Sequence, residues 1–165
     1  MVRVIAGFGL IAVLLGVPAV AGAQDGRRPA VEVSGGYAGF VDDATVHHSV
    51  IGGAWMWQAT PRISVGPEFV YMQGPRGDRD LFMTGKIVIQ ATPDAAASLY
   101  FVADGGVMLH RQELPRGPFW SREGAGSFGA GVRINVTDNV YVAPEIRIGW
   151  EPHVRATATV GWRAF

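Results

Sequence analysis

The sequence predicts an all-β fold, and three observations support this prediction. Hydrophobic residues alternate with small or polar ones at a period of two over most of residues 24–165. Turn-forming residues interrupt the alternation at regular intervals, as expected for consecutive antiparallel strands. The chain of 165 residues has 23 glycines and only 17% charged residues, whereas soluble domains have about 25%. The length and the composition together indicate one β domain rather than two ordinary soluble ones.

Eight segments carry the alternation. Each is long enough to cross an outer membrane as a tilted strand, which takes roughly 9–11 residues. Because lipid offers no hydrogen bonds to the backbone, spanning strands must close into a barrel. The prediction is an eight-stranded antiparallel up-and-down transmembrane β-barrel. Its strands are residues 31–41, 49–59, 63–72, 81–91, 97–109, 124–135, 140–150 and 154–164.

The first 23 residues have the composition of a signal peptide. Arg3 supplies a positive charge, and the apolar run over residues 4–17 follows it. The Ala-Gly-Ala sequence at 21–23 is the small-residue pattern that signal peptidase accepts, so cleavage is expected before Gln24. An uncleaved anchor is the alternative, but it needs about 20 apolar residues. The predicted organisation is a signal peptide over residues 1–23 and an outer-membrane β-barrel domain over residues 24–165.

The predicted connections differ between the two ends of the barrel. Tight turns are predicted at residues 59–62, 92–95 and 136–139. More polar and generally longer segments are predicted at residues 42–48, 73–80 and 111–123, with a short connection around 151–153. This difference predicts short periplasmic turns and somewhat longer outer loops.

Charged residues inside the predicted strands all fall on the polar face of the alternation, and the other charges are assigned to turns, loops and the N-terminal segment. Small residues, mainly Gly, Ser, Ala and Thr, make up most of that face, which suits the crowded lumen of an eight-stranded barrel. Balanced charges can pair there, whereas an unpaired buried charge costs several kcal/mol. We therefore predict a structural ion-pair network in the lumen. Its members are Glu32, Glu68, Lys86, Asp104, Arg133, Glu145, Arg147, Arg155 and Arg163.

Alternation alone does not decide which face is inside. In a soluble lipocalin-like barrel the apolar face would line the interior and bind an apolar molecule, and this alternative stays open. In the membrane barrel, Glu68, Lys86 and Asp104 are expected at mid-depth, and Arg163 is expected to meet Glu32 across the closing seam. An aromatic girdle at the two membrane interfaces is also predicted. Its residues are Trp55, Trp57 and Trp162 on the periplasmic side and Tyr71 and Trp150 on the outer side.

Eight amphipathic strands after a signal peptide resemble the small outer-membrane β-barrel domain proteins of the OmpA/OmpX type. The resemblance covers essentially residues 24–165 and is most typical over residues 140–165. It implies a monomeric protein in outer-membrane lipid, with a C-terminal aromatic, here Phe165, that the barrel-assembly machinery reads. The preceding aromatic, Trp162, lies three residues before Phe165 instead of the usual two, so Phe165 falls off the apolar face.

The search for catalytic and metal-binding residues yields no candidate site. The absence of cysteine excludes thiolate ligands, and the equal numbers of basic and acidic residues, 14 each, give no basic excess for nucleic acid. His47, His48 and Ser49 could suggest a metal site or a hydrolase such as the eight-stranded lipid A deacylases. Adjacent histidines on an extended strand point to opposite faces, and no other ligand lies close in sequence, so a solvated loop is predicted.

The sequence thus predicts a non-enzymatic integral outer-membrane protein without a cofactor. Its expected role is structural or surface-interacting, with a lumen plugged by ion pairs or at most a narrow pore. Two alternatives remain at this point. One is the secreted or periplasmic lipocalin-like binder, and the other is a barrel enzyme that acts on lipid A.

Overall fold

The computed structural model describes residues 28–41 and 46–163, so the predicted signal peptide and Phe165 lie outside the described residues. Within these ranges, no helix is both long and apolar enough to cross a bilayer. A short 3-10 turn, Pro75–Gly77, lies between the third and fourth strands. The strands are β1 (Ala30–Phe40), β2 (Val46–Gln58), β3 (Ile63–Gln73), β4 (Arg79–Gln90), β5 (Ala97–Leu114), β6 (Gly117–Asn135), β7 (Val140–Gly149) and β8 (His153–Arg163).

These eight strands form one closed antiparallel barrel. Each strand pairs with its neighbours in chain order, and β1 also pairs with β8. That closing seam runs from Ala30 opposite Arg163 to Phe40 opposite His153. Closure pairs the strands on both sides around the barrel wall, which is the condition for a sheet to exist in lipid, and the β5–β6 hairpin extends beyond its neighbours at one end. The predicted eight-stranded up-and-down barrel is therefore confirmed.

The largest error in the predicted strands lies at residues 111–123, which were expected to be a loop. β5 continues to Leu114 and β6 begins at Gly117, so only two residues separate them. Their pairing is continuous up to Leu114 opposite Gly117. The tip of this hairpin is exposed on both faces, so it needs no hydrophobic alternation, and the period-two signal is lost there. The extra length at this end lies in strands rather than in a long loop.

A related error concerns the charges that were assigned to loops. Several of them lie in the ends of strands, because β4 begins earlier than predicted and the β5–β6 hairpin is longer. They are Arg79, Asp80, Arg111, Glu113, Arg122 and Glu123.

The polar face of the sheet is the inside of the barrel. In β4, Lys86 and Val88 are buried. Ile87 and Ile89, which alternate with them along the strand, are 38% and 45% exposed. Large hydrophobic side chains remain exposed around the whole barrel. The predicted orientation is thus correct, and the lipocalin-like alternative is wrong because it requires the apolar face to line the interior.

The lumen is filled in layers between two ends. We call the end that holds Arg28 and Arg163 the proximal end and the opposite one the distal end. Moving along β4 from the distal end, the inward side chains are acidic (Asp80), apolar (Phe82), hydroxyl-bearing (Thr84), cationic (Lys86), apolar (Val88) and amide-bearing (Gln90). The first apolar group, which we call the distal apolar layer, consists of Ala38, Val50, Val70, Met72, Phe82 and Met108. A second apolar group lies toward the proximal end and consists of Ala30, Ala54, Met56, Val88, Tyr100, Val102, Tyr141 and Ala143.

Candidate functional site

Two polar clusters occupy the lumen, one on each side of the distal apolar layer. The mid-lumen cluster is built around Arg147 of β7, whose side chain is only 2% exposed. Its Nη1 lies 2.7 Å from both Glu68 Oε2 and Asp104 Oδ2, and its Nε lies 2.5 Å from Glu145 Oε1. Nη2 adds a second bond of 3.0 Å to Glu68. One guanidinium therefore binds three carboxylates from three strands, β3, β5 and its own strand β7.

Lys86 extends this cluster toward the closing seam. Its Nζ lies 2.8 Å from Glu32 Oε2 and 3.1 Å from Glu68 Oε1. Glu68 is thus shared by a lysine and an arginine. Two more guanidinium groups lie slightly farther out, since Arg133 is 3.5 Å from Glu32 and Arg155 is 3.6 Å from Glu68.

Hydroxyl groups satisfy much of the remaining acceptor capacity of these carboxylates. The Tyr141 hydroxyl donates to Glu32 at 2.5 Å, and the Tyr100 hydroxyl donates to Glu145 at 3.0 Å. Ser127 donates to Asp104. Such additional hydrogen bonds allow a charge to remain ionised without bulk water.

The mid-lumen cluster is electrically balanced and closely packed. It contains four cations, Lys86, Arg133, Arg147 and Arg155, and four carboxylates, Glu32, Glu68, Asp104 and Glu145. The space beside Glu32 and Lys86 is too small to hold a water molecule. Eight of the nine predicted lumen charges therefore meet in one buried group.

The ninth predicted charge, Arg163, is not part of this group, and its expected contact with Glu32 is wrong. Arg163 lies opposite Ala30 in the seam, whereas Glu32 lies opposite Gly161. The guanidinium instead donates to Asn135 Oδ1 at 2.8 Å and to the Asp138 carbonyl at 3.1 Å. The prediction failed because it depended on the register between β1 and β8, which the sequence pattern does not specify. Arg163 also borders a vestibule of about 220 Å³ at the proximal end.

The distal cluster was missed by the sequence analysis. It consists of His48 from β2, Asp78 from the connection after β3, Asp80 from β4 and His110 from β5. His48 Nε2 lies 3.1 Å from Asp78 Oδ2 and 3.6 Å from Asp80 Oδ2. His110 Nδ1 lies 2.7 Å from Asp80 Oδ1 and 3.6 Å from Asp78 Oδ1. Each imidazole thus faces both carboxylates.

The prediction that His48 lies in a solvated loop is wrong. The prediction that adjacent side chains point to opposite faces of the strand is right. His48 is 2% exposed inside β2, while His47 and Ser49 lie on the exposed face. A signal was present in the sequence, because Asp80 immediately precedes and His110 immediately follows two strands that were predicted to be neighbours. The contact itself depends on the β4–β5 register, in which Asp80 lies directly opposite His110.

Local packing fixes the groups of the distal cluster. The Phe40 ring lies 4.7 Å from the His48 ring, centroid to centroid. A side chain at Gly74 would collide with the same imidazole, so glycine permits its close approach. The Asp78 connection is closed by backbone bonds from Gly74 N to Asp78 O and from Asp78 N to Pro75 O, of 2.9 and 3.1 Å.

A pair of carboxyl groups lies at the distal rim, outside the buried cluster. Glu151, in the turn between β7 and β8, shares a hydrogen bond with Glu123 of β6. This hydrogen bond, together with partial burial, raises the pKa of Glu151 from 4.5 to about 7. Two like charges at close range cannot both ionise easily, so the pair shares a proton below that pH.

The predicted aromatic residues lie on the outer surface near the two ends of the barrel. Trp55 and Trp162 both lie opposite Val31 near the proximal end, on either side of β1. Tyr71 lies on the distal half of β3, and Trp150 lies in the distal turn after β7 with 76% of its surface exposed. Trp57, on β2 beside Trp55, is 51% exposed.

Comparison with known proteins identifies the fold but no close relative by sequence. No protein-family model matches the chain, and no curated protein matches it. Among solved structures, Neisserial surface protein A superposes with a TM-score of 0.75 at 10% identity, covering 85% of this chain and 100% of that one.

Two other outer-membrane proteins have the same architecture. The N-terminal β-barrel domain of Pseudomonas aeruginosa OprF gives a TM-score of 0.67 at 12% identity, covering 84% of this chain and 100% of that one. Ail, the attachment invasion locus protein of Yersinia pestis, gives 0.59 at 11% identity, covering 84% and 98%. The chain therefore has the fold of the small eight-stranded outer-membrane β-barrels.

Proposed function

We propose that this chain is an integral outer-membrane β-barrel of the OmpA/OmpX type with a structural or surface-interaction role. The observation that carries the proposal is the arrangement of the closed sheet, with large hydrophobic side chains outside and paired charges inside. Lipid can solvate the hydrophobic side chains on the outside. It would exclude the charged ones, because a cationic side chain on the lipid face at mid-depth costs about 2–4 kcal/mol.

The proposed orientation places the proximal end in the periplasm and the distal end at the cell surface. Removal of residues 1–23 during export leaves β1, which begins at the proximal end, as the first strand of the exported chain. Trp55, Trp57 and Trp162 then lie at the periplasmic interface, and Tyr71 and Trp150 lie at the outer one. Phe165 is proposed to act as the signal for the barrel-assembly machinery.

The lumen is proposed to be closed to ions. Arg147 and Lys86 link the opposite walls through Glu68, and no water fits beside Lys86. An ion that crosses the barrel would have to break these charge-assisted contacts and pass the distal apolar layer. We therefore expect no stable conductance in planar bilayers; steady channels of the wild-type protein would contradict a plugged lumen.

The β5–β6 hairpin supports a surface-interaction role. Its tip carries the exposed aromatic residues Phe119 and Trp120, 49% and 61% exposed, and Arg111 lies 4.8 Å from the centre of the Trp120 ring. Aromatic and arginine side chains are enriched at protein interfaces. A solved structure with this fold is named an attachment protein, which agrees with this proposal.

The chain is proposed not to be an enzyme. His48 and Ser49 of β2 face opposite sides of the sheet, so they do not form a nucleophile and base pair. Lipid A mass spectra from cells with and without the protein should be identical. A modified lipid A species that depends on the protein would support the enzymatic alternative instead.

The membrane location is tested first by fractionation and then by two substitutions on β4. The wild-type protein should fractionate with outer membranes and migrate differently on gels before and after heating. Ile87→Arg, which faces outward, should lower the free energy of unfolding by about 2–4 kcal/mol and impair insertion. Thr84→Ser, which faces the lumen, should insert normally. Equal tolerance at both positions, or a soluble periplasmic protein, would contradict the proposed arrangement.

A further inference from the structure

We infer that the distal cluster is a binding site for one divalent transition-metal ion, with Zn²⁺ as the ion that matches it best. The ligands are His48 Nε2, one carboxylate oxygen from each of Asp78 and Asp80, and His110 Nδ1. The site is separate from the mid-lumen ion pairs and does not depend on their role.

The spacing of the donor atoms carries this inference. The distances between imidazole nitrogens and carboxylate oxygens range from 2.7 to 3.6 Å. Around a tetrahedral Zn²⁺ with bonds of about 2.0–2.1 Å, neighbouring ligand atoms lie about 3.3 Å apart. The ligand atoms of His48, Asp78 and Asp80 also lie within 4.8 Å of one another. Small side-chain movements therefore bring these three ligands around one ion. His110 contacts the Oδ1 atoms of both carboxylates, whereas His48 contacts the Oδ2 atoms, so His110 must turn toward the ion to become the fourth ligand.

The charge of the cluster agrees with a dication. Two aspartates and two neutral histidines carry a formal charge of −2, which Zn²⁺ would cancel. Within residues 28–41 and 46–163, no lysine or arginine forms an ion pair with Asp78 or Asp80. The nearby Arg111 pairs with Glu113 at 2.5 Å instead. Without such an ion, a buried carboxylate must pair with a charged side chain or take up a proton.

The position of the cluster provides both rigidity and access. His48 and Asp80 are 2% and 3% exposed, whereas Asp78 and His110 are 15% and 23% exposed, so the site is open on its distal side. The distal apolar layer closes the opposite side. One carboxylate oxygen, Asp78 Oδ1, is buried without a hydrogen bond among the described residues. An ion can therefore enter from the distal mouth and find an available ligand.

The types of ligand select the class of metal. Imidazole nitrogen binds Zn²⁺ and its transition-metal neighbours well, whereas Ca²⁺ and Mg²⁺ prefer an all-oxygen shell of six or more ligands. We expect Zn²⁺ to bind and Ca²⁺ to compete poorly. The ligands come from β2, the β3–β4 connection, β4 and β5, so the ion would join the distal ends of four neighbouring strands.

The test is calorimetric titration of the whole untagged protein, refolded in detergent micelles, with Zn²⁺. We expect one equivalent to bind, and a tenfold excess of Ca²⁺ to leave that binding intact. X-ray absorption at the zinc edge should show four nitrogen or oxygen ligands at about 2.0–2.1 Å. No saturable binding, displacement by the excess Ca²⁺, or a six-oxygen shell would overturn the inference.

Matched variants locate the ion. His48→Gln and Asp78→Asn should each weaken Zn²⁺ binding at least tenfold. Their controls are His47→Gln, an exposed neighbour on the other face, and Asp94→Asn, in a proximal turn, and both should bind as the wild type does. Asp78 lies in a connection outside the strands, so its variant tests the site even if His48→Gln fails to fold. Equal weakening in the controls would place the ion elsewhere and overturn the assignment.

Discussion

The two polar clusters of the lumen solve the problem of buried charge in different ways. The mid-lumen cluster matches four carboxylates with four permanently charged side chains. The distal cluster sets two carboxylates against two histidines, which carry a full charge only when protonated. The distal cluster opens on the distal side, and the distal apolar layer closes the mid-lumen cluster off from that side, while Arg133 of the mid-lumen cluster lines the proximal vestibule.

This difference indicates what each cluster can do. A cluster with equal numbers of permanent cations and carboxylates is neutral overall, so it can act as a fixed plug between the barrel walls. A cluster of histidines and aspartates lacks a permanent cation and has an open side, so it can take up an ion. The lumen thus holds a static cluster and a cluster that can exchange an ion, separated by a single layer of apolar side chains.

The largest expected effect comes from removing the central cation of the mid-lumen cluster. Arg147→Met leaves Glu68, Asp104 and Glu145 without their shared partner, and breaking a buried ion pair from one side costs about 3–5 kcal/mol. Urea unfolding in lipid vesicles measures this loss. Arg163→Met at the proximal rim is the control and should cost about 1 kcal/mol, because its partners are neutral oxygens. Similar losses for both would contradict a central role for Arg147.

A smaller loss is expected from opening the distal apolar layer. Met72 is 0% exposed, so Met72→Ala should leave a cavity and cost about 2–5 kcal/mol, toward the lower end if neighbours relax. Met83→Ala, on the outward face of β4, is the control, since acyl chains can fill the space it leaves. Equilibrium unfolding of both variants should give the larger loss for Met72→Ala. The reverse order would indicate that this layer is not packed as described.

The smallest expected effect concerns the carboxyl pair at the distal rim. The pKa of Glu151 is raised to about 7, first by the hydrogen bond to Glu123 and then by burial. A raised pKa means that the protonated acid favours the folded state, so its contribution is full below about pH 4.5 and is lost as the pH rises through about 7.

The replacement Glu123→Ala should therefore lower the pKa of Glu151 toward 4.5, as measured by carboxyl carbon NMR in micelles. Glu113→Ala, in the neighbouring hairpin, should leave it unchanged. A Glu151 pKa that stays near 7 in Glu123→Ala would show that burial, and not the shared proton, is the main cause.

Most of the fold could be predicted because the alternation of side chains is a local property. β3 and β7 begin where expected, at Ile63 and Val140, since turn residues and hydrophobic alternation meet there. The β5–β6 hairpin was shortened in the prediction because its tip stands in solvent on both faces. There the sequence carries no requirement for alternation, and the structure rests on hydrogen bonding between the strands and on cross-strand contacts such as that between Arg111 and Trp120.

The candidate site could be predicted only in part. Eight of the predicted lumen charges meet in the mid-lumen cluster, because parity alone brings them inside. His48 was assigned to a loop, since its partners Asp78 and Asp80 lie about thirty residues away and Asp78 is in no periodic segment. Residues that meet across a closed barrel leave no spacing pattern in the chain.

The sequence by itself determined which side chains share a face of the sheet, because successive residues of a strand point to opposite sides. The small residues and balanced charges of the polar face then predicted that this face lines the lumen. Only the tertiary structure decided which lumen charges touch. Arg147 of β7 reaches Glu68 of β3 on the opposite wall, whereas Arg163 misses Glu32 beside it. The reason is physical: the stagger at which the strands close into a barrel sets the height of every side chain, and this stagger depends on all eight pairings at once.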